Sequence, residues 1–321
     1  MRLHIGIVLI VALTSVLGST SPGRAQFRQS EPEGAPIGDA RVQRLKVGIV
    51  VTAAGPCTGI AGYTSVPIDW PEQQVKILDE EISPSVKVGY QQVGTTGKMM
   101  VVQIPMLAAG QEAKAIVTFE IRRSAILPPE DTDVFELPNP RRLDRQTRLY
   151  LGPSPRIESR DRKIRELARE IGADQAKAWG RVEAIYDWVR EKVEYKFDKQ
   201  LRGALAALNT GVGDCEELTS LFIAICRAAD IPARTVHVEG HCYPEFYLVD
   251  GEGEGHWFPC QAAGSRAFGE MPEFRPILSK GDNFRPPYAP RDQQRYLANH
   301  LTARNAVGSP RVRFIRELES E

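Results

Sequence analysis

Asn209-Thr210-Gly211-Val212-Gly213-Asp214-Cys215-Glu216-Glu217-Leu218 is a Gly-rich turn that runs straight into helical periodicity. Leu218, Leu221, Phe222 and Ile225 recur at three and four residues, so a helix starts at or beside Cys215. Asp214 stands where a helix cap belongs. A cysteine in a first turn meets unpaired backbone N–H groups, whose partial positive charge favours the thiolate. The same amides can hold an oxyanion, and the Cys215 amide is the first candidate donor. Cys215 also falls on the apolar stripe, which seats it against the core. Asp230-Ile231-Pro232 ends the helix.

Downstream the period changes to that of strands. Arg234 to Val238, Tyr243 to Val249 and His256 to Cys260 read as β runs. The last two flank the turn Asp250-Gly251-Glu252-Gly253-Glu254-Gly255. One hairpin register sets Cys242 opposite Cys260 and His241 opposite Gln261. Paired residues share a face and sequence neighbours alternate, so a base and an amide would share one face. A cysteine pair, able to form a disulfide, would share the other. Glu245 is expected to support the hairpin and Arg234 to pair with a carboxylate. Upstream, Ile164, Leu167, Ala168 and Ile171 predict one helix and Val182, Ile185, Tyr186, Val189 and Val193 a second. A third, short helix is expected from Leu201 to Leu208. Trp188 and Tyr195 are expected in the core or along a cleft.

Taken together, Gly213-Asp214-Cys215-Glu216-Glu217, Arg227-Ala228-Ala229-Asp230-Ile231-Pro232-Ala233-Arg234, His241-Cys242-Tyr243-Pro244-Glu245-Phe246-Tyr247 and Trp257 resemble the transglutaminase-like superfamily. The resemblance spans roughly residues 148–265. It implies a papain-like core in which Cys215 is the nucleophile and His241 its general base. The family's Asp, a few residues after the tryptophan, is replaced here by Gln261. A neutral amide oxygen can still accept the Nδ1–H bond of His241 and set its tautomer, and papain-type sites work with an Asn in that role.

Upstream of this core, residues 41–124 carry short β-branched runs separated by Gly and Pro clusters. They predict a β-sandwich domain. Residues 125–147 open a Pro-rich connector, 148–285 form the transglutaminase-like domain and 286–321 a C-terminal tail. The fold class is therefore α+β, an N-terminal β-sandwich followed by helices on an antiparallel sheet. Cys57 reads as a packed thiol and Trp70 as a loop anchor.

Arg2 precedes an apolar run from Ile5 to Leu17, and Gly23-Arg24-Ala25 follows. The run is too short for a bilayer, which needs about 20 apolar residues. Residues 1–25 read as a signal peptide and 26–40 as a polar linker, which predicts a secreted or periplasmic protein. Forty-one basic residues balance 41 acidic ones, which removes the electrostatic argument for nucleic acid as a partner. Five cysteines leave at least one thiol unpaired. A zinc site from His241, Cys242, His256 and Cys260 is disfavoured, because adjacent strand residues point apart. No cofactor or metal is expected. The composite expectation is a thiol enzyme acting on peptide or side-chain amides, hydrolase rather than cross-linker, with a protein or peptide as partner. The alternative is a transglutaminase-like fold that binds proteins without efficient chemistry.

Overall fold

The structure, a computed structural model, describes residues 35–320. The expected signal peptide, and the linker as far as residue 34, lie outside the described residues.

The N-terminal half is built from β1 (Ile37–Thr52), β2 (Cys57–Ser65), β3 (Gln73–Ile82), β4 (Lys87–Val93), β5 (Gly97–Leu107) and β6 (Glu112–Ile126). Alternation decides its geometry. In β6, Ala113, Ala115, Val117, Phe119 and Ile121 are buried while the residues between them are not. In β1, Leu45, Val47, Ile49 and Val51 face the same core, and Gly48 and Val50 between them are buried as well. These inward faces meet Ile60 of β2 and Met100, Val102 and Ile104 of β5 in one apolar core. Two sheets thus face each other. Each such large side chain contributes about 1.5–3 kcal/mol of burial relative to exposure.

The second half begins with α1 (Arg145–Leu149), α2 (Arg162–Glu170) and α3 (Ala178–Lys192). Then come β7 (Glu194–Tyr195), α4 (Ala204–Thr210), β8 (Val212–Gly213) and α5 (Cys215–Ala228). The strands β9 (Ala233–Val238), β10 (His241–Val249), β11 (Gly255–Pro259) and β12 (Ile277–Lys280) follow. The chain closes with β13 (His300–Thr302), β14 (Asn305–Ala306) and β15 (Arg311–Ser320). All of α5 from Glu217 to Arg227 is buried. Its core neighbours come from α2, α3 and α4 and from the aromatic residues of β10 and β11. A helix that is apolar nearly all round has to be covered all round.

Two findings alter the domain plan read from the sequence. The sheet of β9, β10 and β11 does not stop at the expected boundary. β12 pairs with β9 and, through Ser279 and Gly97, with β5, so one nine-stranded sheet runs through both halves. The segment 286–321, read as a tail, supplies β13 and β14 to β2 and β15 to β1. Ten consecutive residue pairs, from Gln43 with Ser320 to Thr52 with Arg311, cover the flank of β1 opposite β6. An unpaired strand edge is a liability, and the end of the chain covers this one.

Buried ionic groups tie the layers. At the end of α5, Arg227 makes two bonds to Asp282 at 2.8 and 2.9 Å and two to the Ala233 carbonyl. Glu245 accepts from Arg234 at 2.8 Å and from Lys280 at 2.6 Å, and Lys280 reaches Glu72 at 2.7 Å. Arg234 also lies over the Trp257 ring, 4.0 Å from its centroid, and Lys280 over Trp70 at 4.9 Å. Arg234 pairs with a carboxylate as expected, while Glu245, expected to support the hairpin, ties β10 to β9 and β12 instead. Cys57 is buried in the first core.

Candidate active site

The geometry starts at the first turn of α5. Asp214 is extended and its carboxylate accepts from the Glu216 N–H at 2.9 Å. Glu217 reaches back to the Asp214 N–H at 3.2 Å, which completes a capping box. Glu217 also accepts from the Arg202 amide at 2.7 Å, fastening the preceding loop to the helix. Gly213 makes this possible: a Cβ there would stand 2.4 Å from the Glu217 Cβ. Cys215 follows, half-buried, in the position where helix amides are unpaired.

His241 enters from the sheet. Gly240, with φ of +67°, turns the chain between β9 and β10 and sets His241 opposite Val238. That backbone region favours glycine. One imidazole nitrogen of His241 hydrogen-bonds Cys215. The other, Nε2, lies 2.8 Å from Gln261 Oε1. The amide therefore serves Nε2, not the expected Nδ1.

The hairpin register also differs from expectation. Glu245 pairs with Pro259 and Tyr247 with Trp257, where the sequence register put Glu245 opposite Trp257. The slip is two residues, so the faces of the paired positions keep their parity. The ladder ends at Pro259, and Gln261 is placed by the loop beyond it. Its N–H donates to the Ala267 carbonyl at 2.8 Å. Its own carbonyl accepts from the Tyr186 hydroxyl at 2.8 Å and Arg190 at 2.9 Å, both on α3.

The same slip separates Cys242 from Cys260, and all five cysteines are free. Cys260 is packed in the helical core. Cys242 points under the start of α5, its Sγ 3.6 Å from the Cys215 carbonyl and 3.8 Å from Thr219 Oγ1. His256 instead meets Asp250 at 2.7 Å. Among the described residues no group of three or more His, Cys, Asp or Glu side chains is arranged to hold a metal.

These contacts determine the electrostatics. The Cys215 thiol is brought down to about 5, first by the hydrogen bond from Cys242, against the cost of burial, and then by the bond and charge of His241. The Cys242 amide also donates to it. Burial, then the neighbouring Cys215 and Glu216, push Cys242 well above the ordinary thiol range, so it stays a protonated donor. Burial pulls His241 down, but its bonds to Cys215 and Gln261 outweigh that and hold it above the ordinary histidine value. Asp214 is raised to about 6, first by burial, although the Glu216 amide opposes the rise.

The thiol opens into a cleft of about 380 Å³. Phe197 and Tyr296 stand on its rim, with Val238, Leu278 and Leu297 behind. Next to it, Arg295 is buried against Glu216 at 2.8 Å. Arg295, Tyr296 and Leu297 come from the segment read as a tail, and no local pattern marks them as cleft residues. Tyr195 is more than half exposed beside Cys215, while Trp188 packs against the helical core.

Residues 165–262 match the family model of the transglutaminase-like superfamily. The fold is similar to that of a proposed cysteine protease from Cytophaga hutchinsonii, with a TM-score of 0.61 and 19% identity over 89% of this chain and 92% of that one. A looser similarity, with a TM-score of 0.33 and 16% identity, links 71% of this chain to 77% of the periplasmic domain of TgpA from Pseudomonas aeruginosa bound to ethylmercury. No curated protein matches the sequence. Among the described residues no helix is long and apolar enough to cross a membrane.

Proposed function

We propose that this chain, which carries a transglutaminase-like core, is an extracytoplasmic thiol enzyme that cleaves amide bonds of peptides or proteins. The observation that carries the reading is the placement of Cys215, at the capped start of α5, in one cleft with His241, whose far nitrogen is held by Gln261. Thiol nucleophiles need an ionised sulfur and an adjacent base, and the lowered Cys215 thiol with His241 beside it supports that reading.

In the proposed reaction the Cys215 thiolate attacks the amide carbonyl. The carbonyl oxygen takes the negative charge and is met by the Cys215 amide at the helix start. The tetrahedral adduct collapses, the C–N bond breaks, and the His241 imidazolium gives its Nδ1 proton to the departing amine. A thioester remains. Water then attacks it with His241 taking a proton, the C–S bond breaks, and a carboxylic acid leaves with the thiolate restored. An amine in place of water would cross-link. The open cleft admits water, which is abundant, so hydrolysis is the favoured outcome. The apolar run from Ile5 to Leu17 supports export.

The test is alkylation of the folded protein by iodoacetamide between pH 5 and 9, mapped by mass spectrometry, with His241→Ala alongside. Rapid modification of Cys215 below pH 7, slowed by His241→Ala, is expected. Modification only near the ordinary thiol value of about 8.5, indifferent to His241, would leave a binding module instead.

A further inference from the structure

Behind Gln261 stands a carboxylate that the reaction above does not use. Gln261 Nε2 donates to Glu273 Oε1 at 2.6 Å, while Gln261 Oε1 faces His241 Nε2 at 2.8 Å. Glu273 is held in turn by Arg275, whose Nε lies 2.9 Å from Oε2 and whose second nitrogen donates to Oε1 at 3.2 Å. Glu273 lies beyond the segment that matches the superfamily, 165–262. We propose that Glu273 is a positioning residue that fixes the orientation of the Gln261 amide, so that Glu273, Gln261 and His241 form a relay replacing a single carboxylate at the imidazole. The proposal rests on the functional reading of Cys215 and His241.

The argument is one of donors and acceptors. A glutamine amide presents an oxygen on one side and an NH₂ on the other, and a flip exchanges them. With the NH₂ toward His241, Nε2 would have to be the acceptor. The imidazole would then carry its proton on Nδ1, facing the thiol, and could not take the thiol proton. An ionised carboxylate accepts only, so Glu273 can bond the NH₂ side alone. It thereby turns Oε1 toward His241, which holds the proton on Nε2 and leaves the Nδ1 lone pair toward Cys215. Gln261 is 6% exposed, which leaves little room for water to replace either bond. Its backbone is pinned on both sides by α3 and Ala267. The carboxylate also places a negative charge one amide away from the imidazolium.

The charged and titratable groups around that imidazole come from several elements. Cys215, Asp214 and Glu216 belong to the start of α5, His237 to β9 and Arg316 to β15, all lining the same cleft. Arg275 acts on His241 from behind and disfavours its protonation. Removing the Glu273 charge would leave that arginine unopposed.

The test uses the full chain and iodoacetamide as the probe of Cys215. Variants are Glu273→Gln and the exchange Gln261→Glu with Glu273→Gln, each checked for an unchanged thermal midpoint. In Glu273→Gln either amide face can meet His241, and the Cys215 midpoint is expected to rise by roughly one pH unit. From a starting midpoint of about 5, that leaves about five-fold less thiolate at pH 5 and an equal rate at pH 9. The exchange, which puts the carboxylate directly on His241, is expected to restore the low-pH rate. A wild-type Cys215 that labels rapidly below pH 7 with a Glu273→Gln profile identical to it overturns the relay and leaves the thiol enzyme standing. An exchange variant as slow as Glu273→Gln also overturns the relay. A wild-type Cys215 that is not activated at all removes both readings.

Discussion

Cys242→Ala isolates the largest single cause of the lowered Cys215 thiol. Cys242 is buried and stays protonated under the helix start, its Sγ 3.6 Å from the Cys215 carbonyl, and its hydrogen bond is the foremost cause that lowers the Cys215 thiol. A hydrogen bond to a charged group contributes about 1.5–3 kcal/mol. At 1.36 kcal/mol per pH unit, losing it moves the Cys215 midpoint up by about 1–2 pH units. The Cys242 amide and His241 still act on the sulfur, so the variant settles near 6–7, up from about 5 and still below a free thiol. Iodoacetamide labelling at pH 5 should then fall by about 5- to 50-fold. At pH 8 both proteins hold thiolate, and the variant should match or slightly exceed the parent, because a more basic thiolate is more nucleophilic. Cys242→Ser keeps a donor and should stay near the parental profile. A Cys242→Ala profile unchanged at pH 5, or slowed equally at every pH, would refute this account of how the thiol is ionised.

Two further outcomes are expected. Arg227→Met leaves the fully buried Asp282 carboxylate without its two-bond partner, at a cost of about 3–5 kcal/mol. Urea denaturation should register that loss and show the double replacement with Asp282→Leu to be milder; a single variant losing under about 1 kcal/mol would contradict the assigned weight of the pair. Gly213→Ala sets a methyl group against the Glu217 Cβ, which the helix backbone holds in place. The capping box should open at a cost of about 1 kcal/mol, with slower Cys215 labelling at pH 6, and wild-type stability together with wild-type labelling would count against it.

Much of the site is legible because its information is local. The capped turn before Cys215 needs only Gly213, Asp214 and the stripe that follows. Gln261 lies beyond the ladder and is placed by the loop after Pro259, whereas the sharing of faces between β10 and β11 needs only the period of two, which survived a slip of two residues. A slip of one would have reversed it. The choice of imidazole nitrogen was not legible, since it depends on how the loop after Pro259 approaches the ring. Cys242 was read as a disulfide candidate because pairing of the two strands was assumed to continue. The ladder instead stops at Pro259, and Cys242 turns toward α5. Glu273 and Arg295 carry no pattern of their own. Each gains a role from a partner 12 and 79 residues away, respectively.

Sequence by itself determined the helix start at the thiol, the helices just upstream of it and the β character of residues 41–124. These follow from period, capping and turn chemistry within a few residues. Tertiary structure alone decided that one sheet crosses the expected domain boundary and that the final strand covers β1. It alone decided, too, which donors surround the Cys215 sulfur. Such pairings join residues far apart in the chain, and a strand edge or a buried donor constrains its partner's geometry without specifying where in the sequence that partner lies.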